Sequence, residues 1–174
     1  MGILDKNITT DCGMWAMWDY AAYEHVVSYE AWQEFFCEDE DIARQVETGR
    51  FVPVNIRTDG CFAFRVKVDE PLDEREREYV AAASGEYLFR TEGTAVLSGL
   101  ENVTGAYRES SAITVSLPAG SYTAQVFLID WEKEPGARID EETPSPDALP
   151  DFVLVLTSGA DETRRYRTAL DTFN

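Results

Sequence analysis

Residues 113–131, ITVSLPAGSYTAQVFLIDW, decide the fold class. Ile113, Val115 and Leu117 alternate with Thr114 and Ser116, the period of a strand with one buried face. Pro118-Ala119-Gly120-Ser121 supplies turn residues before a second run from Tyr122 to Trp131, so the stretch reads as a β-hairpin. Val126-Phe127-Leu128-Ile129 is apolar at both parities, which predicts a central strand in a sheet covered on both faces.

Outward from this stretch the same period recurs. Phe51-Val52-Pro53-Val54-Asn55-Ile56 leads through Arg57-Thr58-Asp59-Gly60 into residues 61–68, where Phe62, Phe64, Val66 and Val68 face one side and Arg65 and Lys67 the other. Asp59-Gly60 predicts a second hairpin turn, and Pro53, with no amide to donate, belongs at a sheet edge or a bulge. Residues 87–90 and 95–99, joined by Thr91-Glu92-Gly93-Thr94, read as a third hairpin, and residues 152–157 as a last buried strand. Residues 14–20 read as the first strand, after a polar start. Residues 79–83 fit a short helix or a return to the sheet. Residues 69–78 are a charged connection too polar for the core, and residues 132–151, with Pro135, Pro144, Pro146 and Pro150, read as a long exposed loop.

One segment has a helical period. Ser28 precedes Tyr29, Trp32, Phe35 and Phe36, a spacing that lines large rings along one face with Ser28 as the N-cap, and the competing reading is a strand continuing Val26-Val27. Ile42, Ala43 and Val46 extend the period to Gly49, a C-terminal stop. Strands separated by turns, without βαβ alternation, predict a mainly β chain. The expected architecture is an antiparallel, jelly-roll-like β-sandwich with a short helical segment near the N-terminus. At 174 residues and 44% hydrophobic content, one domain spanning 1–174 is expected.

Charge is the extreme feature: 33 acidic residues against 15 basic ones give a net charge of −18, with a pI near 4.3. Such a balance disfavours direct binding to nucleic acid or anionic lipid and favours a cationic partner. The rival reading is solubility in a salt-adapted or GC-rich proteome, since the only lysines are Lys6, Lys67 and Lys133. The sequence has no apolar run of signal-peptide or bilayer-spanning length, so a cytoplasmic protein without membrane association is expected. Cys12, Cys37 and Cys61 form no CxxC pair and are expected to be reduced.

No catalytic signature emerges. His25 is the only histidine, and no paired-ligand spacing joins it to the cysteines. Glu38-Asp39-Glu40-Asp41 and Asp140-Glu141-Glu142 lack the alternating pattern of a calcium loop, and no glycine-rich phosphate cradle occurs. Neither a catalytic residue, a metal ligand nor a cofactor site is predicted. Among the aromatics, Trp15, Trp18 and Trp32 are the candidates for a small-ligand or carbohydrate cleft, the first alternative function. A metal-assisted hydrolase, with carboxylates converging on His25, is the second.

Three fragments, Ser28-Tyr29-Glu30-Ala31-Trp32-Gln33-Glu34-Phe35-Phe36, Glu47-Thr48-Gly49-Arg50-Phe51 and Leu117-Pro118-Ala119-Gly120-Ser121-Tyr122, together resemble the small bacterial competence-protein J group. That group is associated with inhibition of a DNA-uptake nuclease. The resemblance implies an antiparallel β-sandwich that acts by binding another protein rather than by catalysis. Residues 132–151 and the acidic connection after Val68 depart from the group's compact pattern. With the acidity, these motifs lead to a non-enzymatic inhibitor or immunity-type module for a basic nuclease or toxin. Glu38, Asp39, Glu40 and Asp41 are its candidate partner-binding residues.

Overall fold

In the computed structural model, which describes residues 2–174, the chain builds two β-sheets. The strands are β1 (Gly2–Thr10), β2 (Met14–Asp19), β3 (Phe51–Asn55), β4 (Gly60–Val68), β5 (Val80–Ala83), β6 (Tyr87–Thr91), β7 (Thr94–Gly99), β8 (Ala112–Ser116), β9 (Gly120–Ile129) and β10 (Phe152–Ser158). The larger sheet runs β1-β4-β10-β9, and β5 and β6 pair in succession along the far edge of β9. The smaller sheet has the order β3-β2-β7-β8. All pairings are antiparallel except β4 with β10, which is parallel.

None of the three expected hairpins forms. β3 and β4, β6 and β7, and β8 and β9 lie in opposite sheets, so each turn carries the chain across the core. Reversal within a sheet and reversal between sheets require the same turn chemistry and leave the same alternation in the flanking strands. Gly60, Gly93 and Gly120 at these crossings share φ between +143° and +156°, a conformation closed to residues with a Cβ. β9 is central as expected, between β10 and the β5–β6 edge. Residues 79–83, open in the sequence, supply β5. The polar start is itself the edge strand β1; its pattern is weak because Ile8 is buried while Ile3 and Leu4 remain 50% and 38% exposed.

Trp15 of the smaller sheet packs against Phe62, Phe64 and Phe152 of the larger one, with ring centroids 5.2–6.4 Å apart. The opposite face of the smaller sheet presents Trp18 and Phe51 to three helices, α1 (Tyr20–Tyr23), α2 (Tyr29–Phe36) and α3 (Asp39–Glu47). Ser28 caps α2 by accepting a hydrogen bond from the Ala31 amide at 3.1 Å. Gly49 follows α3 at φ +73°.

The outer face of the larger sheet is covered by α4 (Glu74–Glu78) and residues 130–151. Here one expectation fails and another is refined. The polar connection 69–78 contains the fully buried Glu76, which accepts hydrogen bonds from Lys67 Nζ at 2.7 Å, Arg65 Nη1 at 2.9 Å and the Asp73 amide at 2.8 Å. The proline-rich loop is mostly exposed, as expected, but anchored at its end: Leu149 is buried with Leu72, Ile129 and Val153, and the Asp151 carboxylate accepts from the Ala63 amide and the Trp131 indole. The residue pattern did not show the burial of Glu76 because its cationic partners, Lys67 and Arg65, lie 9 and 11 residues away on a strand. No described helix is long and apolar enough to cross a membrane.

Candidate functional site

Trp15 and Trp18, three apart in a strand, point to opposite faces of the smaller sheet, and both are fully buried. Trp18 donates its indole N–H to Ser98 Oγ at 3.0 Å. The expected cluster of Trp15, Trp18 and Trp32 therefore does not assemble. His25 is exposed, with its ring edge-on to Phe35 at 5.6 Å. Among the described residues no three His, Cys, Asp or Glu side chains come together as a metal set.

Trp32 is half-buried and has other neighbours. Its indole N–H donates to the Leu100 carbonyl at 3.0 Å, fixing α2 against the turn that carries Glu101. Tyr29, one helical turn earlier, stacks on Trp32 with centroids 6.0 Å apart and planes 12° from parallel. Tyr29 is 67% exposed and Val27 75%, and they open a groove of about 420 Å³ walled by Glu101, Thr104 and Ala106. The walls are joined where the Gly105 amide donates to the Val26 carbonyl at 2.9 Å and Tyr20 Oη donates to the Gly105 carbonyl at 3.1 Å.

A second depression of about 350 Å³ adjoins the first through Cys12 and is lined by Asp39, Ile42, Arg57 and Asp59. The electrostatics at the junction are negative. Partial burial, then Glu101, Asp59 and Asp11, push the Cys12 thiol up to about 11. Glu101 accepts hydrogen bonds from Thr10 Oγ1 at 2.9 Å and the Asp11 amide at 3.0 Å, and no cation pairs with it among the described residues.

The acidic run is the N-terminus of α3. Glu38 is the N-cap, its amide donating to Asp41 Oδ2 at 3.2 Å in a capping box, and Asp41 also pairs with Arg44. Asp39 and Glu40 are exposed, and neither carboxylate is hydrogen-bonded or ion-paired to a described residue. Two of the four acids thus serve the helix, and Asp39 faces the depression beside the aromatic groove. Sequence reasoning missed Tyr29, Glu101 and Cys12 as one surface. The i, i+3 spacing of Tyr29 and Trp32 was the only local signal.

No protein-family model matches the chain, and no curated protein matches its sequence. Its structure is similar to that of a protein described as crocagin biosynthetic gene J, with a TM-score of 0.60 and 13% identity over 90% of this chain and 96% of the other. It is also similar to ComJ, inhibitor of the DNA degrading activity of NucA, from Bacillus subtilis. That match has a TM-score of 0.49 and 12% identity over 91% of this chain and 100% of the other. The first of these likenesses shows a shared fold and nothing about the partner.

Proposed function

We propose that the protein is a non-catalytic β-sandwich module that binds a basic protein, as an inhibitor or immunity-type protein does, through the surface formed by α2, the start of α3 and the Leu100–Glu101 turn. The observation that carries this reading is an exposed aromatic groove bordered by Glu101 and Asp39, carboxylates that are ion-paired to no described residue. Aromatic anchors in a partly desolvated patch supply affinity at protein interfaces, and surrounding charge of one sign steers an oppositely charged partner. The inhibitor or immunity role itself follows the competence-protein J-like motifs. Glu38 and Asp41 support the surface by capping α3, and Asp39 and Glu40 present the charge.

The test is affinity measured at low and high salt against a panel of proteins with strongly basic pI. Binding should weaken as salt rises, and reversing only Asp39 and Glu40 to Lys should slow association while leaving the cap intact. Unchanged association after that reversal, or equal affinity for neutral and acidic proteins, would sink the reading.

A further inference from the structure

The chain twice places a guanidinium over an aromatic ring beside a carboxylate. Arg138 Cζ lies 5.2 Å from the Trp131 ring centroid while the Arg138 guanidinium pairs with Glu132. Arg164 Cζ lies 4.9 Å from the Tyr166 centroid and pairs with Glu86. Tyr29, Trp32 and Glu101 repeat the aromatic and acidic parts of that arrangement at the groove, without a cation of the chain among the described residues.

We propose that this slot receives an arginine side chain of the basic partner, with its guanidinium over the exposed ring surface of Tyr29 and Trp32 and hydrogen-bonded to the Glu101 carboxylate. The inference rests on the reading above that the partner is a basic protein. The Glu101 carboxylate, with about four acceptor sites, takes hydrogen bonds from Thr10 Oγ1, the Asp11 amide and the Cys12 thiol, all neutral donors, so it keeps a lone pair for an incoming N–H. The Trp32 indole edge is held by Leu100, the residue before Glu101, so rings and carboxylate are positioned before binding. Arginine suits the slot better than lysine because its planar, weakly hydrated guanidinium stacks on rings while its edge bonds a carboxylate. The exposed Val27 at the groove's lip gives the arginine stem apolar surface to cover.

Three blocked nonapeptides test this, identical except that three spaced positions are arginine, lysine or the neutral isostere citrulline. Binding is followed through the indole N–H signals of the full chain by NMR. The arginine peptide should move the Trp32 signal saturably and leave that of Trp131, already covered by Arg138, in place. Its dissociation constant should be about tenfold below that of the citrulline peptide, with lysine between them. Tyr29→Ala and Glu101→Gln should each remove most of that difference, with the buried Trp15 and Trp18 signals reporting an intact fold. Arginine and citrulline peptides of equal affinity, or both variants binding as the parent does, overturn the slot. Binding that moves only the amides of Asp39 and Glu40 also overturns it but leaves the acidic-module reading standing. Failure of every basic peptide and every basic protein at low salt overturns both.

Discussion

The two sheets are each covered on their outer face, and the covers are held by different physics. On the larger sheet, α4 and residues 130–151 are fastened by polar bonds: the buried Glu76 binds Lys67, Arg65 and the Asp73 amide, and the half-buried Asp151 binds the Ala63 amide and Trp131. On the smaller sheet, α1 to α3 are fastened by rings, with Tyr23 against Trp18 and Phe36 against Phe51. A polar cover works only when its buried groups are satisfied, so it closes on itself. An aromatic cover has no such requirement. It can leave Tyr29 and part of Trp32 at the surface, the place proposed above for a partner.

The sharpest break in this contrast is expected at Glu76. Glu76→Ala strands the Lys67 ammonium, 3% exposed, and should lower stability by about 3–5 kcal/mol in urea unfolding. Replacing both partners, Lys67→Met with Glu76→Leu, should restore most of that loss, whereas full destabilisation of the double variant would show that the charges themselves are needed. On the aromatic side the largest effect is expected at Gly105, where a Cβ would stand 2.0 Å from the Glu24 carbonyl oxygen. Gly105→Ala must push the groove wall outward, at a cost of about 1–3 kcal/mol in thermal unfolding, with a shifted Trp32 indole signal. A cap loss comes next: Ser28→Ala should destabilise by about 1 kcal/mol and speed exchange of the Ala31 amide without altering the Glu76 node.

The smallest effect is electrostatic and specific to the groove. Cys12 holds its proton to about pH 11 against an ordinary value of 9.0, through partial burial first and Glu101 second. The folded state therefore binds that proton more tightly than the unfolded one. The Cys12 contribution to stability is whole below pH 9 and is lost as pH rises through 11. Glu101→Gln should lower the thiol value and speed iodoacetamide alkylation of Cys12 near pH 9, measured with the exposed Cys37 and Cys61 replaced by Ser. An unchanged rate would mean that Glu101 does not set the field in the groove.

Much of the secondary structure was legible in local pattern. The alternation in residues 61–68 and 152–157 marks β4 and β10, and Ser28 and Gly49 bracket the pair of helices. The apolar parity of Val126-Phe127-Leu128-Ile129 predicts the covered, central β9. β1 was not legible, because an edge strand buries little and leaves no clear alternation. The site was half legible: the acidic run and Trp32 stood out, but Trp15 and Trp18 were grouped with Trp32 on residue type alone.

From the sequence alone come most of the strands, the helical segment holding α2 and α3, the N-cap at Ser28 and the acidic field, because each depends on near neighbours or on summed composition. Tertiary structure decided which sheet each strand joins, since turn chemistry is the same whether the chain reverses within a sheet or between sheets. It also buried Glu76 by bringing Lys67 and Arg65 beneath it, a balance of desolvation and pairing that charge in sequence does not express. The groove belongs to the same class. Trp32 meets Leu100 across 68 residues of chain, and only that meeting places Glu101 beside the Tyr29–Trp32 stack.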